Sequence, residues 1–273
     1  MARLTLVRDK REMSATAAER ITSLIEGAIV IRDAAAISLP GGHTPDQLYE
    51  CLADPDRPWR ARIDWTRVHL FWSDERNVPP DHPESNFGLA NRTLIRHVPI
   101  PASHVHRMRG EVPAGDAGRE YDVMLRARRD EIPGPLFDAM LLGIGADAHI
   151  ASIFPGSLLL PVERGFTPRQ ATTGHLSVPP WPVLQEHDEL ATGVWVPKLN
   201  QWRITLTPPA LLDSTAIIVM AAGSTKADAI AAAIGGELKV SRHPAQLLRA
   251  VDERVEWIID DAAARSGPRR PMV

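Results

Sequence analysis

Five short apolar runs predict the strands of a buried sheet. Each run is almost continuously apolar, whereas a strand with one face in water would alternate apolar and polar residues. The runs cover residues 35–39, 68–72, 137–142, 216–220 and 255–259. We therefore expect strands that are covered on both faces.

Helical patterns fill the stretches between these runs. Thr44 as an N-cap with Pro45 in the first position predicts one helix start, and Ser85 as an N-cap predicts another. Strands that alternate with helices predict an α/β fold, in which a doubly wound, mostly parallel sheet carries helices on both faces. The predicted helices lie around residues 21–29, 45–52, 86–95, 117–130 and 224–234.

Residues 156–200 fit this pattern poorly. They are rich in Pro, Gly, Thr and Trp and show no firm period, and so long a loop is unusual inside a compact domain. We expect the segment either to carry short helices or to act as a flap over a site. The chain shows no repeat or linker, which predicts a single domain over 1–265 and a frayed tail over 266–273.

Composition narrows the class of protein. The 273 residues carry 31 Lys and Arg against 34 Asp and Glu, so the formal charge is −3, and there are no basic blocks. This balance argues against nucleic acid as a partner. No apolar run approaches the roughly 18 residues of a membrane helix, and the first residues hold no signal-peptide core. Cys51 is the single cysteine, which excludes an internal disulfide. We expect a cytoplasmic protein, either a monomer or a small homo-oligomer.

Unusual residues follow four of the predicted strands. Ligands bind beyond the carboxyl ends of the strands in open parallel sheets, so these four clusters are expected to converge on one crevice. The clusters are residues 40–45, 73–76, 143–149 and 221–226.

Two of the clusters predict an anion site. Gly41 and Gly42 precede a helix N-terminus, where free N–H groups and the helix dipole favour phosphate. Lys226 stands beside Gly223 at another strand end. The competing interpretations are an ordinary tight turn for the glycines and a solvated side chain for the lysine.

The other two clusters predict acid–base chemistry. A neutral His149 is a natural general base near neutral pH, and Asp147 can orient it and stabilise its imidazolium form. Arg76, in the charged triplet 74–76, offers forked donors for a carboxylate, a phosphate or an oxyanion. A structural histidine and a solvated charge run are the alternatives.

Other chemistries have little support. His104 and His106 lack a clear third metal ligand, His69 is interpreted as structural, and no Gly-x-Ser-x-Gly elbow is present. Ala148 interrupts a dinucleotide motif that would begin at Gly143. We expect neither a metal nor a cofactor.

Taken together, the motifs resemble the 6-phosphogluconolactonases. These belong with the glucosamine-6-phosphate deaminases and ribose-5-phosphate isomerases in a Rossmann-like group. The resemblance implies hydrolysis of 6-phosphoglucono-δ-lactone, a sugar phosphate of the oxidative pentose phosphate pathway, by water that His149 activates. It implies that Asp147 orients His149 and that Arg76 serves the oxyanion or positions the substrate. The matching stretches are 39–45, 71–80, 85–86, 143–156, 203–207 and 223–226. The implied substrate and phosphate ligands are Gly41, Gly42, His43, Thr44, Asp74, Arg203 and Lys226.

Three differences favour a lactonase over a deaminase. Arg76 stands where the deaminases carry Tyr, Asn86 follows Ser85 where they carry Tyr, and no acid occupies 153–155. Ala148 and Ile150 depart from the usual lactonase Asp-Gly-His-Thr. If that Gly position needs a positive φ, alanine costs about 1 kcal/mol there, unless the loop tolerates a side chain. A sugar-phosphate isomerase or deaminase and a non-catalytic sugar-phosphate-binding protein remain the alternatives.

Overall fold

The computed structural model describes residues 1–42, 44–160 and 188–264. Its strands are β1 (Arg3–Val7), β2 (Ala35–Leu39), β3 (Val68–Trp72), β4 (Asp74–Arg76), β5 (Phe137–Gly143), β6 (Ala191–Val196), β7 (Gln201–Leu206), β8 (Ser214–Ala221) and β9 (Val255–Asp260). Its helices are α1 (Lys10–Arg32), α2 (Asp46–Ala53), α3 (Pro58–Arg62), α4 (Asn86–Thr93), α5 (Ala114–Glu131), α6 (Pro208–Leu212), α7 (Ala227–Gly235) and α8 (Asp261–Ala264). Short 3-10 helices occupy Trp65–Arg67, Ile95–His97, Ala102–His104, Pro197–Leu199, Ser224–Lys226 and Pro244–Arg254.

Six strands form one sheet in the order β1-β9-β8-β5-β2-β3, and every neighbouring pair in it is parallel. The five predicted strands are all confirmed, and β2 and β3 have the predicted bounds. The α/β prediction of a doubly wound, mostly parallel sheet is therefore correct.

Both faces of the sheet are buried. Along β2, Ile37 and Leu39 belong to one apolar cluster, which includes Ile21 of α1 and Leu48 of α2. Ala36, which precedes Ile37 and so faces the opposite side of the sheet, belongs to the other cluster, which includes residues of α5 and α7. Helices on both faces explain why the strand runs are continuously apolar.

One edge strand was not predicted. β1 pairs only with β9 and leaves Leu4 42% and Leu6 57% exposed. β1 is short and half exposed, so its sequence pattern does not predict a strand. It is a strand because it pairs with β9, not because it is buried.

The helix starts are partly as predicted. Ser85 caps α4 by accepting a hydrogen bond from the Gly88 N–H, as expected. The prediction for α2 is wrong by one residue, since the helix begins at Asp46 with Pro45 as its N-cap residue. The Pro45 carbonyl accepts the first hydrogen bond of the helix, from Tyr49 N–H at 2.9 Å, and no side chain caps this end.

A second sheet, antiparallel in the order β4-β7-β6, lies beside the first. Ser73 joins the two, because its N–H donates to Leu39 O and its carbonyl accepts from Leu206 N–H. β6 and the short 3-10 helix Pro197–Leu199 both lie in the segment 156–200, where the sequence showed no period; the short helix was among the expectations and the strand was not. Residues 161–187 of that segment and residues 265–273, which include the predicted tail over 266–273, lie outside the described residues. No described helix is long and apolar enough to cross a membrane.

Candidate active site

A cleft opens where the strand order of the parallel sheet reverses. After β2 the chain adds β3 outside it and then returns to place β5 on the other side. Such a switch point leaves a crevice beyond the carboxyl ends of the strands. One half of the cleft has a volume of about 350 Å³ and is lined by residues from all four clusters, which confirms their predicted convergence. Its lining is Pro40, Gly41, Gly42, Thr44, Ser73, Asp74, Arg76, Gly143, Ile144, Gly145, His149, Ala151 and Lys226.

The second half of the cleft has a volume of about 300 Å³. It shares Asp74, Arg76, His149 and Lys226 with the first half and adds Arg203. The glycine loop and Arg203 therefore lie in different halves, and Lys226 lines both. The remaining predicted ligand, His43, lies outside the described residues.

The glycine loop after β2 turns sharply into α2. Gly42 has φ +94°, a conformation that favours glycine. Gly41 is required for a different reason, because a Cβ there would collide with the side-chain amide of Asn86. The loop is also tied to α2 by Tyr49, whose buried hydroxyl donates to Pro40 O at 2.8 Å.

The Asp147–His149 pair is formed as predicted. His149 Nδ1 lies 2.6 Å from Asp147 Oδ1, and the side chains are 30% and 22% exposed. The hydrogen bond to a carboxylate assigns the proton to Nδ1, which leaves Nε2 as the basic nitrogen. Gly145 makes room for the pair, since a Cβ there would meet both side chains.

A tight turn presents this pair to the cleft. Ala148 N–H donates to Gly145 O, and Gly145 N–H donates to His149 O. Ala148 has φ +62° and is fully buried. The position therefore does adopt the left-handed conformation that glycine would favour, with the alanine methyl packed in the core.

Lys198 is a site residue that sequence reasoning missed. Its Nζ lies 2.6 Å from Asp147 Oδ2, on the carboxylate oxygen that His149 does not use. Burial alone would raise the pKa of Asp147, but the hydrogen bonds from Lys198 and His149 outweigh it and lower that pKa to about 2. Asp147 is thus a carboxylate at neutral pH. No local signal marked Lys198, because it is 51 positions away in the chain.

Phe154 is a second missed residue. Its ring stacks on the His149 imidazole at a centroid distance of 4.1 Å. It follows the loop of Asp147 and His149, and from the sequence it counted only as a position without an acid.

Two arginines add positive charge. Arg76 and Arg203 are register partners across β4 and β7, and both line the second half of the cleft. Burial, and after it the nearby Arg76 guanidinium, lowers the pKa of Arg203. Lys226 and Lys198 line the same cavity, so four cationic side chains give this half a local positive charge, which favours an anion.

The two acids of the charged triplet, Asp74 and Glu75, lie in different surroundings. Asp74 lines the cleft and accepts from Ser152 Oγ at 2.7 Å. Glu75 is 1% exposed and points away into the protein, where Ser85 Oγ and three backbone N–H groups donate to it. The sequence alone could not separate these roles, which follow from the alternation of side chains along β4.

Comparison with known proteins agrees with the motifs. A family model described as Glucosamine-6-phosphate isomerases/6-phosphogluconolactonase matches residues 8–257. The 6-phosphogluconolactonase of Mycobacterium leprae is 34% identical, with 98% of this chain and 99% of that protein aligned. The 6-phosphogluconolactonase of Streptomyces coelicolor is 32% identical, with 97% and 95% aligned.

Solved structures extend the comparison to the fold. The crystal structure of 6-phosphogluconolactonase from Thermotoga maritima superposes with a TM-score of 0.72 at 26% identity, covering 96% of this chain and 100% of that one. Because the family model spans nearly the whole chain and relatives above 30% identity align along most of their length, this chain belongs to the glucosamine-6-phosphate isomerase/6-phosphogluconolactonase family.

Proposed function

We propose that this protein hydrolyses 6-phosphoglucono-δ-lactone to 6-phosphogluconate in the oxidative pentose phosphate pathway. The observation that carries the proposal is an oriented Asp147–His149 pair at the edge of a cavity rich in cationic side chains. The relatives named 6-phosphogluconolactonase support the choice of substrate. A lactone is an activated ester, so a base and charge stabilisation suffice for its hydrolysis.

His149 acts as the general base. Its Nε2 takes a proton from water, which attacks the lactone carbonyl carbon. Asp147 holds the tautomer and stabilises the imidazolium that forms, while Lys198 keeps the carboxylate ionised. As the ring C–O bond breaks, the imidazolium returns a proton to the departing ring oxygen. Phe154 restrains the imidazole plane during both transfers.

The cationic residues bind the phosphate and the developing charge. Lys226 lines both halves of the cleft and is the central phosphate ligand. Arg203 binds the phosphate from one half of the cleft, and the backbone N–H groups of Gly41, Gly42 and Thr44 bind it from the other. Arg76 lines both halves of the cleft, as His149 does, and its guanidinium stabilises the oxyanion or positions the substrate.

The absence of an acid at 153–155 argues against an isomerase or deaminase. Those reactions need an acid–base pair that moves a proton between carbons or releases ammonia. Here Ile153 is buried and Phe154 covers His149, so no carboxylate from this turn reaches the imidazole.

We also propose a location, an oligomeric state and a domain organisation for the protein. We infer a cytoplasmic monomer or small homo-oligomer with one domain over 1–265, acting on a small sugar phosphate and not on nucleic acid. The near-neutral charge supports a small-molecule substrate over nucleic acid, and the single cysteine supports the cytoplasmic location. Light scattering of the purified chain tests the oligomeric state.

Hydrolysis of freshly generated 6-phosphoglucono-δ-lactone tests the activity. Gluconolactone and glucosamine 6-phosphate are run alongside, and the spontaneous opening rate is subtracted. We expect fast turnover of the phosphorylated lactone alone, and a loss of about 10²–10⁴-fold in kcat for His149→Ala. His97→Ala, at an exposed histidine outside the cleft lining, is the matched control. Binding of 6-phosphogluconate without any turnover would indicate a non-catalytic binding protein instead.

A further inference from the structure

Asn86 connects parts of the cleft without lining it. It is the first residue of α4 and is 1% exposed. Its side chain lies between the glycine loop after β2 and Asp74 of β4, two of the four clusters that form the cleft. The proposed mechanism gives it no role.

The backbone of Asn86 is anchored by Glu75. One Glu75 oxygen accepts from Asn86 N–H at 2.8 Å, and the other accepts from Phe87 N–H at 2.8 Å. The same carboxylate accepts from Arg76 N–H and Ser85 Oγ. The buried acid therefore fixes the start of α4 against β4, and with it the position of Asn86.

The side-chain amide of Asn86 orients Asp74. Its Nδ2 donates to Asp74 O at 2.8 Å and lies 3.3 Å from Asp74 Oδ1. The other oxygen, Asp74 Oδ2, accepts from Ser152 Oγ, three residues after His149. Asp74, at the wall of the cleft, is thus hydrogen-bonded by Asn86 on one side and by Ser152 on the other.

The amide oxygen of Asn86 lies against the glycine loop. Among the described residues no hydrogen-bond donor reaches Oδ1, although it is buried. It lies against Gly41, at the place where a Cβ would stand. Gly41 φ is not in the left-handed region, so contact with Asn86, and not backbone strain, requires glycine there.

We propose that Asn86 is a positioning residue that sets the separation between the Gly41 loop and Asp74. It acts through those two groups and touches neither the substrate nor the reacting atoms. The inference rests on the proposed function, in which both groups belong to the substrate-binding wall. Removal of the side chain loosens binding, while the Asp147–His149 pair on another loop is unaffected.

Steady-state kinetics of Asn86→Ala test this role. We expect KM for the phosphorylated lactone to rise by about tenfold or more with kcat changed less than about threefold, the pattern of lost binding contacts. Asn77→Ala is the matched control, since that amide also donates twice, to Gly110 O and Val112 O, but lies outside the cleft lining. It is expected to lower Tm and leave KM unchanged. An unchanged KM in Asn86→Ala overturns the inference, whereas absence of turnover in the wild-type protein overturns the proposed function.

A double-mutant cycle tests the contact without any substrate. Gly41→Ala should sharply lower the midpoint of urea unfolding in the wild-type background and lower it much less in Asn86→Ala, where the space is free. Gly42→Ala is the control, because its cost comes from φ +94° with no atom within 4 Å and should be equal in both backgrounds. Equal effects of Gly41→Ala in both backgrounds, including failure to fold in both, would overturn the inference. Folding only in the Asn86→Ala background would support it.

Discussion

Arg76 and Arg203 stand directly opposite each other on β4 and β7. Directly opposite residues of an antiparallel pair share a face of the sheet, so two like charges lie side by side. In the described part of the chain neither arginine forms an ion pair with an acid; Arg76 donates instead to the carbonyl of Glu84. A repulsive pair of this kind is expected where a bound anion supplies the missing negative charge.

Arg203→Gln should therefore separate stability from function. We expect the free energy of unfolding to rise by roughly 0.2–1 kcal/mol, since a like-charge pair is removed. The KM for the phosphorylated lactone should rise at least about tenfold, as a charge-assisted contact to phosphate is lost. Urea denaturation and initial rates measure the two effects. Arg96→Gln, at an exposed position outside the cleft, should change neither, and a drop in stability for Arg203→Gln would contradict the interpretation.

Asp147 and Lys198 should differ in their importance for kcat. Asp147→Asn removes the negative charge that stabilises the imidazolium, and its amide N–H can favour the wrong His149 tautomer, so kcat should fall by about 10²-fold or more. Lys198→Met leaves the bond between Asp147 and His149 in place and should lower kcat by only about tenfold, as is typical of a supporting contact. Lys239→Met, whose lysine pairs with Glu237, is the control. A Lys198→Met variant as inactive as Asp147→Asn would place Lys198 on the substrate itself.

Ala148→Gly tests the effect of the alanine that stands where the usual lactonase motif has glycine. Glycine would relieve about 1–2 kcal/mol of left-handed strain. It would also remove a buried methyl group, which costs roughly 0.8 kcal/mol, and raise the conformational entropy of the unfolded chain, which costs about 0.4–1 kcal/mol. The effects nearly cancel, so we expect the free energy of unfolding to change by less than about 1 kcal/mol, with kcat retained.

Ala148→Val provides the contrast at the same position. A β-branched residue is strongly disfavoured at positive φ, and the buried site has no room for it, so a loss of more than about 2 kcal/mol is expected. Urea denaturation of both variants measures the difference. A large gain in kcat for Ala148→Gly would show instead that alanine impairs the catalytic loop.

A cluster of histidines should make the fold sensitive to acid. His69 Nδ1 lies 3.0 Å from His106 Nε2, and the His69 and His104 rings stack. Burial is the main cause that lowers the pKa of His69 and of His106 to about 4, with neighbouring imidazoles and Arg128 adding to it. This structural role agrees with the interpretation of His69 from sequence.

The direction of this pH dependence of stability follows from proton binding. Between pH 6.5 and about 4 the unfolded chain binds protons that the folded chain does not, so the free energy of unfolding should fall as pH decreases through that range. Above pH 6.5 these histidines add no pH dependence to the free energy of unfolding. His106→Gln should flatten the dependence measured by urea denaturation across pH, and exposed His97→Gln should leave it unchanged. An unchanged slope in His106→Gln would remove the cluster as its cause.

Much of the site was predictable because its residues follow strands that are easy to recognise. The apolar runs at 35–39 and 68–72 mark their own ends, and the chain beyond those ends had to meet at one edge of a parallel sheet. Asp147 and His149 are close in the chain, so their contact needed only a tight turn. The roles of individual ligands in the cleft remain predictions.

The sequence by itself determined five of the six strands of the parallel sheet and the edge at which the chemistry gathers, because local apolar patterns dictate which residues must be buried. Only the tertiary structure decided that Lys198 reaches Asp147, that Arg203 faces Arg76, and that Asn86 fills the space beside Gly41. Those contacts join residues between 45 and 127 positions apart. Periodicity records burial but not which buried surfaces meet, and that is settled by the packing of the two sheets and the helices around them.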